Sequence, residues 1–152
     1  MKLHAILLFL HLLAIVAWVG GMFFAHVCLR PAAAESLEPA QRLALWQGVF
    51  ARFFRWVAVA IAATLLSGFG MLHRSGFAAM PGAWHAMMDV GLLMTAIFVS
   101  ILLGPYRAFR QALAAGDIAQ AAAAQGKIRL RVQINLVLGI ANLATATLGL
   151  AI

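Results

Sequence analysis

Four apolar runs, each about as long as a hydrocarbon bilayer is thick, occupy most of the 152-residue chain and leave few folds open to it. Only 10% of the residues are charged and 65% are hydrophobic, whereas a soluble domain carries roughly a quarter charged residues. In hydrocarbon every backbone N–H and C=O must be satisfied within the protein, so segments of this length span as helices. The expected fold is therefore all-α, an integral membrane four-helix bundle forming a single domain over 1–152. Its helices are expected at about 3–29, 54–72, 85–106 and 132–152. The first apolar run, 5–29, is longer than the roughly 7–15 apolar residues of a signal peptide and reads as a retained helix that stops before Pro31.

The connecting segments have distinct characters. Residues 30–55 form a first loop, in which Ser36-Leu37-Glu38-Pro39 turns into a helical stretch with an apolar side that leads directly into the second helix. The second loop, 73–84, is short and contains Gly76, Pro81 and Gly82. Gly104-Pro105 ends the third helix, because proline lacks a helical donor. The alanine-rich stretch 111–125 favours helix but is broken near Gly116-Asp117, which predicts a short helical hairpin beyond the membrane. On the last helix Asn135, Gly139, Asn142, Ala146 and Gly149 recur at helical spacing, a small and polar stripe suited to close helix contact.

Charge sets the orientation. Of the eleven Lys and Arg residues, Arg30, Arg42, Arg52, Arg55, Arg107, Arg110, Lys127, Arg129 and Arg131 lie in loops one and three. Only Lys2 and Arg74 lie on the other side. The positive-inside rule places loops one and three in the cytoplasm, and both termini and loop two outside. The net charge of +7 thus belongs to the membrane interface and predicts contact with lipid headgroups, not with nucleic acid.

Conventional hydrolytic chemistry has little to work with. The chain has four acidic residues and one cysteine, Cys28, which excludes an intrachain disulfide and a cysteine-rich metal site. The five histidines are the distinctive feature. His11 lies inside the first helix, where an ionisable group is costly and should face a cavity or partner. His4, His11 and Trp18 follow one another at seven-residue spacing and share a stripe. Gly20-Gly21 then allows close approach of a helix or a flat ligand. His11 is either an axial ligand of haem iron or a histidine hydrogen-bonded across helices to Asn135, Asn142 or a hydroxyl. His85 has Asp89 at i+4, a carboxylate placed either to orient an imidazole or to favour the helix start.

With His4 and His73, these residues fall in the outer half of the membrane. Any two from different helices could hold one metal or haem, and Arg74 could pair with haem propionates. Met71, Met80, Met87 and Met88 lie near the same side, and thioethers with imidazoles suit copper. His26 is about 22 Å along the helix from His11 and reads as an interface residue near Arg30, with a second site as the alternative.

The segment from His11 through Trp18, Gly20-Gly21 and Leu29-Arg30-Pro31 resembles the first helix of CopD-like membrane proteins. The likeness continues through Leu45-Trp46, Val49-Phe50-Ala51-Arg52-Phe53-Phe54, Ser67-Gly68, His85-Ala86-Met87 with Gly91, Ile128-Arg129, and Asn135-Leu136-Val137-Leu138-Gly139. It implies a multi-pass protein of the bacterial inner membrane, with copper uptake as the role behind the name. The spacing of His11, Trp18 and Gly21 also resembles that of HemJ-type proteins. That likeness implies b-type haem, with His11 as its ligand, and a link to protoporphyrinogen oxidation.

The expectation carried forward is a b-type haem in the outer half of the bundle, passing single electrons as a possible membrane oxidoreductase. His11 and His85 would be its iron ligands, with His73 or His4 as substitutes and Trp18 and Arg74 beside the cofactor. A quinone or a periplasmic redox protein would be the partner, with a homo-oligomer as a further possibility. The alternatives are a CopD-like copper protein, a HemJ-like porphyrinogen oxidase, and an accessory subunit with no cofactor.

Overall fold

A computed structural model of the chain describes residues 2–75 and 81–149. They form four helical rods. Helix α1 is Lys2–Ser36 and α2 is Pro39–Ser75. The third rod is bent and comprises α3, Gly82–Leu103, and α4, Pro105–Ala114. The last is α5, Ile118–Leu148. Three are long and apolar enough to cross a membrane: Lys2–Ser36, Pro39–His73 and Gly82–Ala114. Many large apolar side chains point outward, among them Phe9, Val16, Trp56, Leu66 and Val137. Such an outer surface is unsuited to water and matches hydrocarbon.

The helices are longer than the apolar runs. The first does not stop before Pro31 but continues through it to Ser36. Two π-helical stretches, Val16–Gly20 and Phe24–Leu29, precede the proline. Their wider turns change the hydrogen-bond register ahead of the ring, which lets a residue without an N–H sit inside the helix. The expected helical stretch from Pro39 is collinear with the second span, making one rod.

The expected hairpin is present. Gly104 bends the third rod, and α4 returns into α5 through Ala115, Gly116 and Asp117. Gly116 has φ +71°, a left-handed conformation open to glycine without a Cβ clash. The Asp117 carboxylate caps α5 by accepting from the Gln120 N–H at 2.8 Å.

Helix α1 packs along α2, and α5 packs along both α3 and α4. The middle of α1 joins the two pairs by touching α5. The small-polar stripe of α5 faces the bundle as its spacing implies. Asn135 donates to the Met94 carbonyl at 3.0 Å and Asn142 to the Met87 carbonyl at 3.2 Å. A Cβ on Gly139 would stand 2.9 Å from a Val19 methyl and 3.2 Å from the Met94 methyl. Leucine at Gly139 is therefore expected to lower stability by about 1–3 kcal/mol, read as a lower melting temperature in mild detergent. An unchanged melt would show that α1, α3 and α5 do not meet there.

Aromatic rings tie α2 to the bent rod. Trp46, Phe50 and Phe54 follow at i, i+4 spacing with centroids 5.2 and 5.1 Å apart. Phe54 meets Phe98 and Tyr106 edge-on at 5.8 and 5.0 Å. Phe50 meets Phe109 at 5.6 Å. Edge-to-face pairs of this kind add roughly 0.5–1.5 kcal/mol each beyond their burial.

Candidate functional site

The site builds outward from His11, the ionisable side chain set deepest in an apolar helix. Half-buried, it faces α2. Its Nδ1 lies 3.0 Å from the Thr64 backbone carbonyl and 3.0 Å from the Ser67 hydroxyl oxygen. A carbonyl oxygen can only accept, so Nδ1 carries the proton. The Ser67 hydroxyl spends its own hydrogen on the Ala63 and Thr64 carbonyls, which leaves its lone pair for the same Nδ1–H. The tautomer follows from these partners: the lone pair of the neutral ring is on Nε2. No described residue hydrogen-bonds Nε2.

Local sequence explains the seat. Ser67 is 2% exposed, and a serine inside a helix commonly bonds its hydroxyl back to a preceding carbonyl. Gly68 makes room for the ring, since a Cβ there would lie 3.3 Å from the His11 Cε1. The buried Thr64 hydroxyl beside it has no hydrogen-bond partner among the described residues. Orienting imidazole through Nδ1 with a backbone carbonyl is the usual way a metal-ligating histidine is fixed.

Of the two readings of His11 open at the sequence level, the cross-helix hydrogen bond is present, and its hydroxyl is that of Ser67. Asn135 and Asn142 do not take part: their Nδ2 groups donate to α3 carbonyls, and their buried Oδ1 atoms have no hydrogen-bond partner among the described residues. The Ser67-Gly68 pair carried the signal, as a small polar residue next to a glycine at helical contact distance.

The other candidates lie as follows. His4 and His73 are exposed. The α1–α2 register runs antiparallel, with His11 beside Gly68 and Leu7 beside Gly70. Extended by one turn, it brings His4 level with His73. His85 is half-buried in the first turn of α3, and Asp89 is exposed. Trp18 is 4% exposed and belongs to the apolar core, within the first π-helical stretch. Met71, Met87 and Met88 are half-buried. The Arg74 side chain and Met80 lie outside the described residues. Among the described residues no three His, Cys, Asp or Glu side chains gather at metal-binding distance.

The best-formed cavity, about 330 Å³, lies at the other end of the bundle. None of His4, His11, His73 and His85 lines it, but His26 does.

A family profile described as copper resistance protein D matches residues 47–148. The match takes in most of α2 and all of α3, α4 and α5. It includes Thr64, Ser67, His73 and His85, and leaves out His4, His11 and His26. No curated protein and no solved structure matches the chain.

Proposed function

This chain belongs to the copper resistance protein D family of bacterial membrane proteins, and from that premise we propose that it binds copper ions at the outer end of its bundle and acts in copper uptake or resistance. The observation that carries the reading is the His11 ring, fixed through Nδ1 by Thr64 and Ser67 with its Nε2 lone pair left for a ligand. Copper is the cargo in this reading. His4 and His73 form the rim where an ion arrives. Met71 stands one turn beyond Ser67 on the same face of α2 and supplies a thioether between rim and interior. His11 is the inner stop, about 10 Å below His4 at the helical rise. Imidazole and thioether are the donors that copper prefers, Cu(I) above all.

The reading sets the protein in the bacterial inner membrane with four crossings, α5 being the fourth. Both chain ends and the 73–84 segment then face the periplasm, which the charge bias supports. What supports α5 as a crossing is its packing along the full third rod, with no charged side chain between Arg131 and its end.

The same nitrogen suits the iron of a b-type haem, and the haem reading makes a different prediction for one experiment. The protein is purified in mild detergent, and absorption spectra are recorded before and after dithionite, with metal analysis on the same sample. Copper near one equivalent with no Soret band is the expected result. A Soret band with sharp reduced bands and no copper would replace the copper reading with single-electron transfer through haem.

A further inference from the structure

The cavity of about 330 Å³ lies between α1, α2 and α5 and has no role in the outer site. Arg30, Arg42 and Arg129 line it together with His26. No acidic side chain lines it, and among the described residues no ion pair or hydrogen bond engages the guanidinium group of any of these three arginines. Its floor is the buried row Trp46, Phe50 and Phe54.

Each of the three helices contributes one arginine to the lining. On α1 the order from the membrane outward is Ala25, His26, Arg30. On α2 it is Phe54, Trp46, Arg42, and on α5 it is Val132, Arg129 and then Ile128, Gln125, Ala122 and Ile118. The cavity therefore has a cationic band, Arg30, Arg42 and Arg129, with the aromatic row of α2 on the side toward the spans. Unpaired guanidinium groups are strong, directional partners for a phosphate, and the aromatic end suits an acyl chain. A free anion would use the arginines and leave the aromatic row empty.

We propose that this cavity seats one acidic phospholipid, with its phosphate among Arg30, Arg42 and Arg129 and an acyl chain along Trp46, Phe50 and Phe54. Recognition is by charge at the head and apolar contact at the tail, so a zwitterionic phospholipid of the same chain length binds less well. The site is independent of copper binding at the opposite end.

Native mass spectrometry of the full chain in neutral detergent tests this, with phosphatidylglycerol and phosphatidylcholine of matched chains added in turn. One tightly retained phosphatidylglycerol is expected. Retention falls about fivefold for each arginine removed, and hence more than tenfold in the double variant Arg42→Gln/Arg129→Gln. The variant Arg42→Lys/Arg129→Lys recovers most of it, which separates lost charge from lost fold. Arg107→Gln, which alters an exposed arginine outside this cavity, leaves retention unchanged. Equal binding of the two lipids, or an equal loss in Arg107→Gln, would overturn the proposal in favour of general surface charge. Displacement of the lipid by millimolar inorganic phosphate would overturn it in favour of a free-anion site.

Discussion

Replacing His11 with asparagine is expected to abolish stoichiometric copper retention while leaving the bundle folded. Asparagine keeps an N–H donor for the Thr64 carbonyl, which His11 Nδ1 meets at 3.0 Å, but it has no ring nitrogen to offer a metal. The helix contact survives and the ligand is lost. Ser67→Ala should act more mildly, because it removes one of the two groups that hold Nδ1 and leaves the carbonyl. Loss of such an outer-shell partner weakens metal binding by about 10- to 100-fold, and the remaining bond points to the lower end. Copper analysis after gel filtration, with a melting curve on the same sample, measures both effects. Wild-type copper content in His11→Asn would remove His11 from the site. A collapsed melt would instead mark its role as structural.

Phe109→Ala should produce the largest loss of stability, about 3–5 kcal/mol. Phe109 is fully buried. It packs in the α4–α5 hairpin with Ala112, Ala121, Ala124 and Ile128, all at most 5% exposed, and its ring meets Phe50 of α2 edge-on. Alanines on both faces of the hairpin cannot close over the space that a lost ring leaves, so the cavity persists. Hydrogen exchange should then speed up across residues 105–125, while the apolar part of α3 stays protected by its own helical hydrogen bonds. Exchange unchanged in the hairpin would mean that Phe109 does not hold it to α2.

Both variants probe contacts that are legible in the sequence to different degrees. Helical character, the apolar outer surface, the turn at Gly116 and the inward stripe of Asn135, Gly139 and Asn142 were all readable. They depend on local composition and on the 3.6-residue period, which act within a few residues. The continuation of α1 through Pro31 was not readable, because proline at that point ordinarily ends a helix and the π-helical stretches that absorb it have no signature in composition.

The site divides along the same line. The sequence by itself determined that His11 is an ionisable group inside an apolar helix and so had to find a polar partner, since leaving it unsatisfied in hydrocarbon is costly. It also made the Ser67-Gly68 step small enough for close helix contact. Only the tertiary structure decided that these two meet, because the antiparallel register of α1 on α2 is set by packing along the whole pair, Leu7 on Gly70 and Phe53 on Gly21 included. That register, in turn, decides the tautomer and leaves Nε2 as the nitrogen with a lone pair. The cavity among Arg30, Arg42 and Arg129 is likewise tertiary: its three arginines lie on three helices, and no local pattern records how those helices converge.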